Sequence, residues 1–156
     1  HWWDTRYVAY KPPVHPNYPQ MYGTPETVTT YSNIVKIYDE KKKLVEENYK
    51  EWGAKYTAHF SHWYPWGTMI YDRFYIDNPP EDADEALRLH NEIFEACSKV
   101  NLENGAVLNE HHGIGLKLGY LMPEQYGKSF DVLLDIKKSI DPKGIMNPGK
   151  LGFGKW

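Results

Sequence analysis

The residues best suited to chemistry stand together at Glu110-His111-His112-Gly113-Ile114-Gly115. An acid and two imidazoles directly after the apolar stretch Ala106-Val107-Leu108 put titratable groups at the edge of a sheet. Histidine, whose ordinary pKa lies near neutrality, is the natural general base for removing a hydroxyl proton. Gly113 and Gly115 let the backbone turn tightly or approach a ligand closely. The same spacing also describes an exposed histidine pair in a loop. A second group is His59, His62, Tyr64 and Tyr71. On an extended strand, positions i and i+2 share a face, so His59 and Ser61 point one way and His62 falls at the strand end. Tyr71 lies on the facing strand, where its phenol could reach the same space; an aromatic-rich hairpin packed on a helix is the plainer reading. The third group, Asp141-Pro142-Lys143-Gly144-Ile145-Met146-Asn147-Pro148-Gly149-Lys150, specifies a rigid ending and by itself says nothing of function.

The elements that must position these groups follow from periodicity and punctuation. Residues 6–10 (RYVAY) read as a strand, and the Pro-rich connection 12–25 excludes regular structure. Thr30 or Ser32 caps a long helix whose Ile34, Ile37, Tyr38, Leu44, Val45, Tyr49 and Trp52 recur at helical spacing, with Gly53 ending it. Its charged residues 39–43 and 46–47 read as a solvated face. Strands at 55–61 and 68–76 flank an aromatic connection. After Pro79-Pro80 a second helix runs to about residue 104, with the stripe Ala83, Leu87, His90, Phe94, Cys97 and Val100 and with Gly105 at C′. His90 reads there as a hydrogen-bonded core or boundary histidine. A short strand at 106–108 leads into the histidine pair. A third helix at about 128–140 buries Phe130, Leu133, Leu134 and Ile140, and Asp141-Pro142 stops it. These elements predict an α+β domain with a mainly antiparallel sheet flanked by long helices. No Gly-rich phosphate loop follows a strand, so this chain alone builds no nucleotide site.

The length of 156 residues suits one domain with a real core, and a net charge of -3 gives no reason to expect nucleic acid or an anionic membrane surface. The single cysteine, Cys97, allows no intrachain disulfide. That suits a reducing compartment, and its place on an apolar stripe makes it a small core residue. No segment reads as a signal peptide or membrane span, and the expected setting is cytoplasmic, with peripheral membrane association left open. The opening His1-Trp2-Trp3, without Met, reads as the start of an excised fragment. Aromatic residues make up 15%, many outside the helices, where they either line a cavity or interface or cover a small core.

In this order the three clusters resemble the C-terminal domain of FAD-linked oxidases of the vanillyl-alcohol-oxidase type, a superfamily that includes D-lactate dehydrogenase, glycolate oxidase and alkylglycerone-phosphate synthase. The resemblance runs from Asn109 to Gly115 and across the third helix to Lys150; upstream, Ser61-His62-Trp63-Tyr64-Pro65-Trp66-Gly67 leading to Ile70-Tyr71 is more similar to the synthase branch than to the lactate branch. It implies a ferredoxin-like-type cap domain spanning residues 1–156, laid over a flavin held mainly by an N-terminal FAD-binding domain or subunit that this chain lacks. On the resemblance, His112 faces flavin and substrate as candidate base. His111 and Tyr71 join it as catalytic candidates, and Asn147 and Lys150 sit in a segment returning toward the flavin. Substrate contacts fall to His62, Tyr64 and Glu110, with Arg6 or Arg73 clamping a carboxylate or phosphate. Relatives that bind a divalent metal use two histidines flanking a Gly-Asp-Gly turn plus the acid of the later motif. Here the turn reads Tyr64-Pro65-Trp66-Gly67 and His111 replaces the acid, so the expectation is no catalytic metal; His59 could substitute, but its side chain should project away from His62. The implied activity is oxidation of a small hydroxy acid or related alcohol with hydride passing to flavin. The non-redox ether-forming reaction of the synthase branch is the alternative. A flavin-free metal-binding module or hydrolase built on His59, His62, His111 and His112 also stays open, as do an assembly subunit and a homo-oligomer.

Overall fold

The structure, a computed structural model, describes Trp3 and residues 21–154. The strand expected at 6–10, and Arg6 with it, lie outside the described residues. Four strands form one antiparallel sheet: β1 (Met21–Gly23), β2 (Glu26–Thr30), β3 (Ala54–Tyr64) and β4 (Gly67–Ile76). β4 is central. β3 pairs along one of its edges, while β1 and β2 share the other, Gly23 opposite Phe74 and Glu26 opposite Tyr71. The connection expected to be irregular to residue 25 therefore already contains a strand. Pro25 removes one N–H between β1 and β2, and the chain resumes pairing on either side of it.

The two faces of the sheet differ. Thr68, Ile70, Asp72, Phe74 and Ile76 of β4 are buried, alternating with residues of the opposite face as pleating requires. Against the buried face pack α1 (Tyr31–Asn48) and α2 (Ala83–Glu103). Ile34, Ile37 and Val45 of α1 and Leu89, Ile93 and Cys97 of α2 join Tyr56, Ile70, Phe74 and Ile76 in the core. Asp82 caps α2 by accepting the Glu85 N–H at 2.9 Å, and Gly105 follows the helix at φ 66, the left-handed turn expected of a C′ glycine. The core stripe of α2 is rotated from the expected one: Leu87 is exposed and Leu89 and Ile93 take its place. His90 is the boundary histidine foreseen, with Nε2 3.2 Å from the Tyr22 carbonyl. Burial pushes the Cys97 thiol up to about 12, in keeping with an inert core residue.

A charged residue overturns the expected solvated face of α1. Lys41 is fully buried and donates from Nζ to Asp72 Oδ2 at 2.8 Å, an oxygen that also accepts the Tyr56 hydroxyl at 2.9 Å. Burial raises the Asp72 carboxyl, and the Lys41 charge and its hydrogen bonds oppose it. Position 41 lies four residues after Ile37 and four before Val45, so helical geometry carries it inward whatever its charge.

The described residues after α2 form a satellite core of Leu108, Leu118, Leu121, Met122 and Phe130, built in part by α3 (Met122–Tyr126) and α4 (Ser129–Ile140). Residues 106–108 are not a strand; Val107 contributes one backbone bond to the Val28 carbonyl. Leu133 and Leu134 are partly buried as expected, but Ile140 is 70% exposed, because it lies on the α4 face shared with Val132 and Ile136. Lys41→Met leaves Asp72 as a buried charge without its counterion, so urea unfolding should register a loss of about 3–5 kcal/mol, most of it recovered when Asp72→Leu is added.

Candidate active site

The second face of the sheet carries the chemistry. Register places His59 of β3, Tyr71 of β4 and Glu26 of β2 in one row across three strands. Over this row passes the segment after Leu108, and what holds it there is Glu26, only 1% exposed. One oxygen of its carboxylate, Oε1, accepts three consecutive backbone N–H groups: Glu110 at 2.9 Å, His111 at 2.8 Å and His112 at 3.0 Å. A buried carboxylate is tolerated only when donors surround it. Three converging amides supply them. Gly113 N–H donates to Asn109 Oδ1 at 2.7 Å, closing the turn that follows.

The imidazoles are thereby fixed above Tyr71. The Tyr71 ring stacks with His59 at 5.0 Å and with His111 at 5.7 Å between centroids, and meets His112 edge-on at 5.3 Å. His111 Nδ1 lies 2.7 Å from Glu110 Oε2 and 2.8 Å from Glu26 Oε2; His112 Nδ1 lies 3.3 Å from the same Glu26 oxygen. Glu110 Oε1 takes the Tyr64 hydroxyl at 2.6 Å and lies 3.1 Å from His62 Nδ1. The Tyr64 bond first, then His111 and His62, hold the Glu110 carboxyl below its usual range against partial burial.

At His62 the strand departs from simple alternation. Alternation on an uninterrupted strand sets its side chain apart from that of His59. The register slips between Ser61 and Tyr64, and His62 adopts φ 50. This bulge re-aims the side chain, so His62 meets His111 edge-on at 5.5 Å while His59 stacks on Tyr71. Both reach one cluster.

The other residues singled out in the sequence are distributed as follows. Arg73 sits with its guanidinium carbon 5.4 Å from the Tyr71 ring centroid. Asn147 and Lys150 are exposed. Their segment is bound to the histidine loop through the backbone, Leu151 N–H to the Gly115 carbonyl at 3.0 Å. The same segment touches Gly119 so closely that a Cβ on Gly152 would lie 2.0 Å from the Gly119 carbonyl oxygen. Leu151 and Ile114 then line one cavity of about 370 Å³ with His111, Gly113 and Tyr126. The sequence reading missed Glu26. Its signal was faint: one acid at the head of a β-branched run, Glu26-Thr27-Val28-Thr29-Thr30, hidden behind prolines.

Two donor sets converge. Glu26, His111 and His112 each place a ligating atom within 4.8 Å of one another, as do His62, Glu110 and His111. A shared proton or a divalent ion can bridge atoms at such spacing. The backbone alongside borders open space: a Cβ added at Gly113 or Gly115, both at positive φ, would meet nothing within 4 Å.

Comparison with known proteins agrees with this architecture. The family described as FAD linked oxidases, C-terminal domain, matches residues 2–151. Alkyldihydroxyacetonephosphate synthase from Trypanosoma brucei brucei is 31% identical over 129 residues, 81% of this chain and 21% of that protein. A probable mitochondrial D-lactate dehydrogenase from Danio rerio is 36% identical over 73 residues, 46% of this chain and 14% of that protein. A solved alkyldihydroxyacetonephosphate synthase structure superposes with a TM-score of 0.56 at 24% identity, covering 85% of this chain and 21% of the other; it shares the fold. The chain thus spans about a fifth of the length of the synthases it matches.

The terminal motif owes its shape to Asp141, which accepts the N–H groups of Ile145 and Met146 at 3.0 and 2.9 Å and the Lys137 ammonium at 2.6 Å. Lys137 first, then the two amides, hold this carboxyl below its ordinary value. Its contribution is therefore fully present above the unfolded-state value of about 4 and lost as pH falls through the lower folded value. Asp141→Asn should speed proteolysis within residues 141–151 at neutral pH, and the difference from wild type should close progressively below about pH 4.

Proposed function

The chain belongs to the C-terminal-domain family of FAD linked oxidases, and from that premise we propose that it forms the substrate-facing cover of a flavin held by an N-terminal domain or separate subunit. The reading rests chiefly on one observation: two imidazoles are clamped by a buried carboxylate directly above Tyr71, beside glycines whose backbone borders open space. The fit to FAD is that of a wall, not a holder. The open backbone at Gly113 and Gly115 admits a flat ring system, whereas among the described residues no glycine-rich phosphate loop follows a strand. An apolar face on α4, with Val132, Ile136 and Ile140 exposed and Ile145 and Met146 exposed beyond them, suits coverage by another domain.

The substrate is a small hydroxy acid or related alcohol. FAD, when bound, supplies hydride acceptance. His112 accepts the substrate hydroxyl proton as the C–H hydride leaves, so that the carbinol becomes a carbonyl. His111 and Tyr71 bound the reacting group, and Arg73, exposed beside Tyr71, takes the substrate carboxylate. Asn147 and Lys150 border the flavin side. The bridging atoms between Glu26, Glu110 and the histidines carry protons and not a metal ion. Among the described residues no helix is long and apolar enough to cross a membrane.

A second reading draws on the longer similarity, since the synthase match covers 81% of this chain and the lactate-dehydrogenase match 46%. In it the same histidines and Tyr71 manage protons in ether-bond formation without net oxidation. Anaerobic mixing of the intact flavoprotein with a panel of 2-hydroxy acids should bleach the flavin. Ether product from an acylated glycerone phosphate and a fatty alcohol, with no bleaching, decides for the second reading. His112→Ala should lower turnover by about 10²–10⁴-fold with flavin still bound; full turnover removes His112 as the base. Elemental analysis should find far less than one equivalent of zinc or manganese per chain, and stoichiometric metal would replace proton bridging in this site.

A further inference from the structure

We propose that Glu26 is a positioning residue that selects the tautomer of His112, leaving Nε2 unprotonated toward the substrate. This rests on the base assignment above and extends it to a residue on a different strand. The reasoning is a count of protons against acceptors. A neutral imidazole with its proton on Nδ1 has one hydrogen to give there. His111 Nδ1 lies between two carboxylate oxygens, Glu110 Oε2 at 2.7 Å and Glu26 Oε2 at 2.8 Å, and its hydrogen-bond geometry is met toward Glu110. Glu26 Oε2 is left buried with no donor directed at it, although its sister oxygen holds three amides. The remaining Nδ1 within reach is that of His112, at 3.3 Å. A small rotation of that ring closes the bond, and the free-energy penalty of an unsatisfied buried carboxylate oxygen favours it.

Two pairs result, Glu110 with His111 and Glu26 with His112. In the second pair the proton on Nδ1 is held by a carboxylate that cannot move, because the backbone of residues 110–112 grips its other oxygen. An imidazole so held presents an unprotonated Nε2, the form a general base requires. The Tyr71 ring stands edge-on to His112 at 5.3 Å.

Glu26→Gln separates holding the loop from choosing the tautomer. The amide oxygen still accepts three N–H groups, while the amide nitrogen turns a donor toward His112 and forces Nδ1 to accept. In the intact flavoprotein labelled with 15N-histidine, at a pH of about 9 where imidazole is ordinarily neutral, His112 is identified by its loss in His112→Ala. Wild type should give the Nδ1-protonated pattern and Glu26→Gln the Nε2-protonated one. In the turnover assay above, kcat should fall on the order of 10²–10⁴-fold with KM within about threefold. An Nε2-protonated wild type, or a Glu26→Gln protein with unchanged tautomer, overturns the proposal. The wild-type signal decides alone if the variant does not fold. Because the tautomer is read without substrate, a failure of His112 as base shows only in the His112→Ala kinetics and remains distinguishable.

Discussion

A carboxylate removed from water must be given hydrogens, and most of the candidate site follows from how Glu26 obtains them. Three consecutive amides converge on one of its oxygens. Their direction sets the path of the chain from Glu110 to His112, and that path carries both imidazoles over Tyr71. The contact joins residues 84 to 86 positions apart in sequence. It lies at the base of a buried sheet edge, where competing water is excluded and the charge-assisted bonds keep their strength.

The sheet that supports this contact is a divider. Its buried face packs on α1 and α2 and contains one ionic feature, Lys41 with Asp72 and Tyr56, sealed from solvent. Its other face holds the row His59, Tyr71 and Glu26. Asp72 and Tyr71 are neighbours in sequence, yet pleating sends one to a structural ion pair and the other to the candidate site. Two buried carboxylates on opposite faces of one sheet, Asp72 and Glu26, therefore serve separate ends. The first is a matter of stability, where an apolar replacement of both partners is tolerable; the second holds the histidine loop, where an apolar replacement leaves three amides without their acceptor.

The satellite core of α3, α4 and the terminal turn stands to the site as a clamp from the other end. Leu151 bonds to the Gly115 carbonyl, and Gly152 lies against Gly119 at a distance only glycine permits. The loop bearing the histidines is thus tied at them by Glu26 and after them by the terminal turn. Preorganisation of this kind lowers the cost of orienting the side chains that the loop presents. The exposed apolar face of α4 stands beyond that clamp, on the same third of the chain.

Much of the architecture was legible in the residues themselves. The α+β class, the hairpin of β3 and β4, the helix end at Gly105, and the inert character of Cys97 all follow from local rules, whereas the first helix stops at Asn48 and Gly53 closes a separate 3-10 turn after it. The motifs around His112 and Asp141 likewise carry the resemblance to the family. What local rules could not supply was decided by partners far along the chain. β1 and β2 pair only because β4 is there to receive them, the inward-turned Lys41 finds its counterion in Asp72 on a distant strand, and Leu89 rather than Leu87 meets the core. His62 turns toward His111 through a bulge that alternation cannot express. Glu26, an unremarked acid after a proline, becomes the anchor of the site because a charge inside a protein must be answered by whatever donors the tertiary fold brings to it.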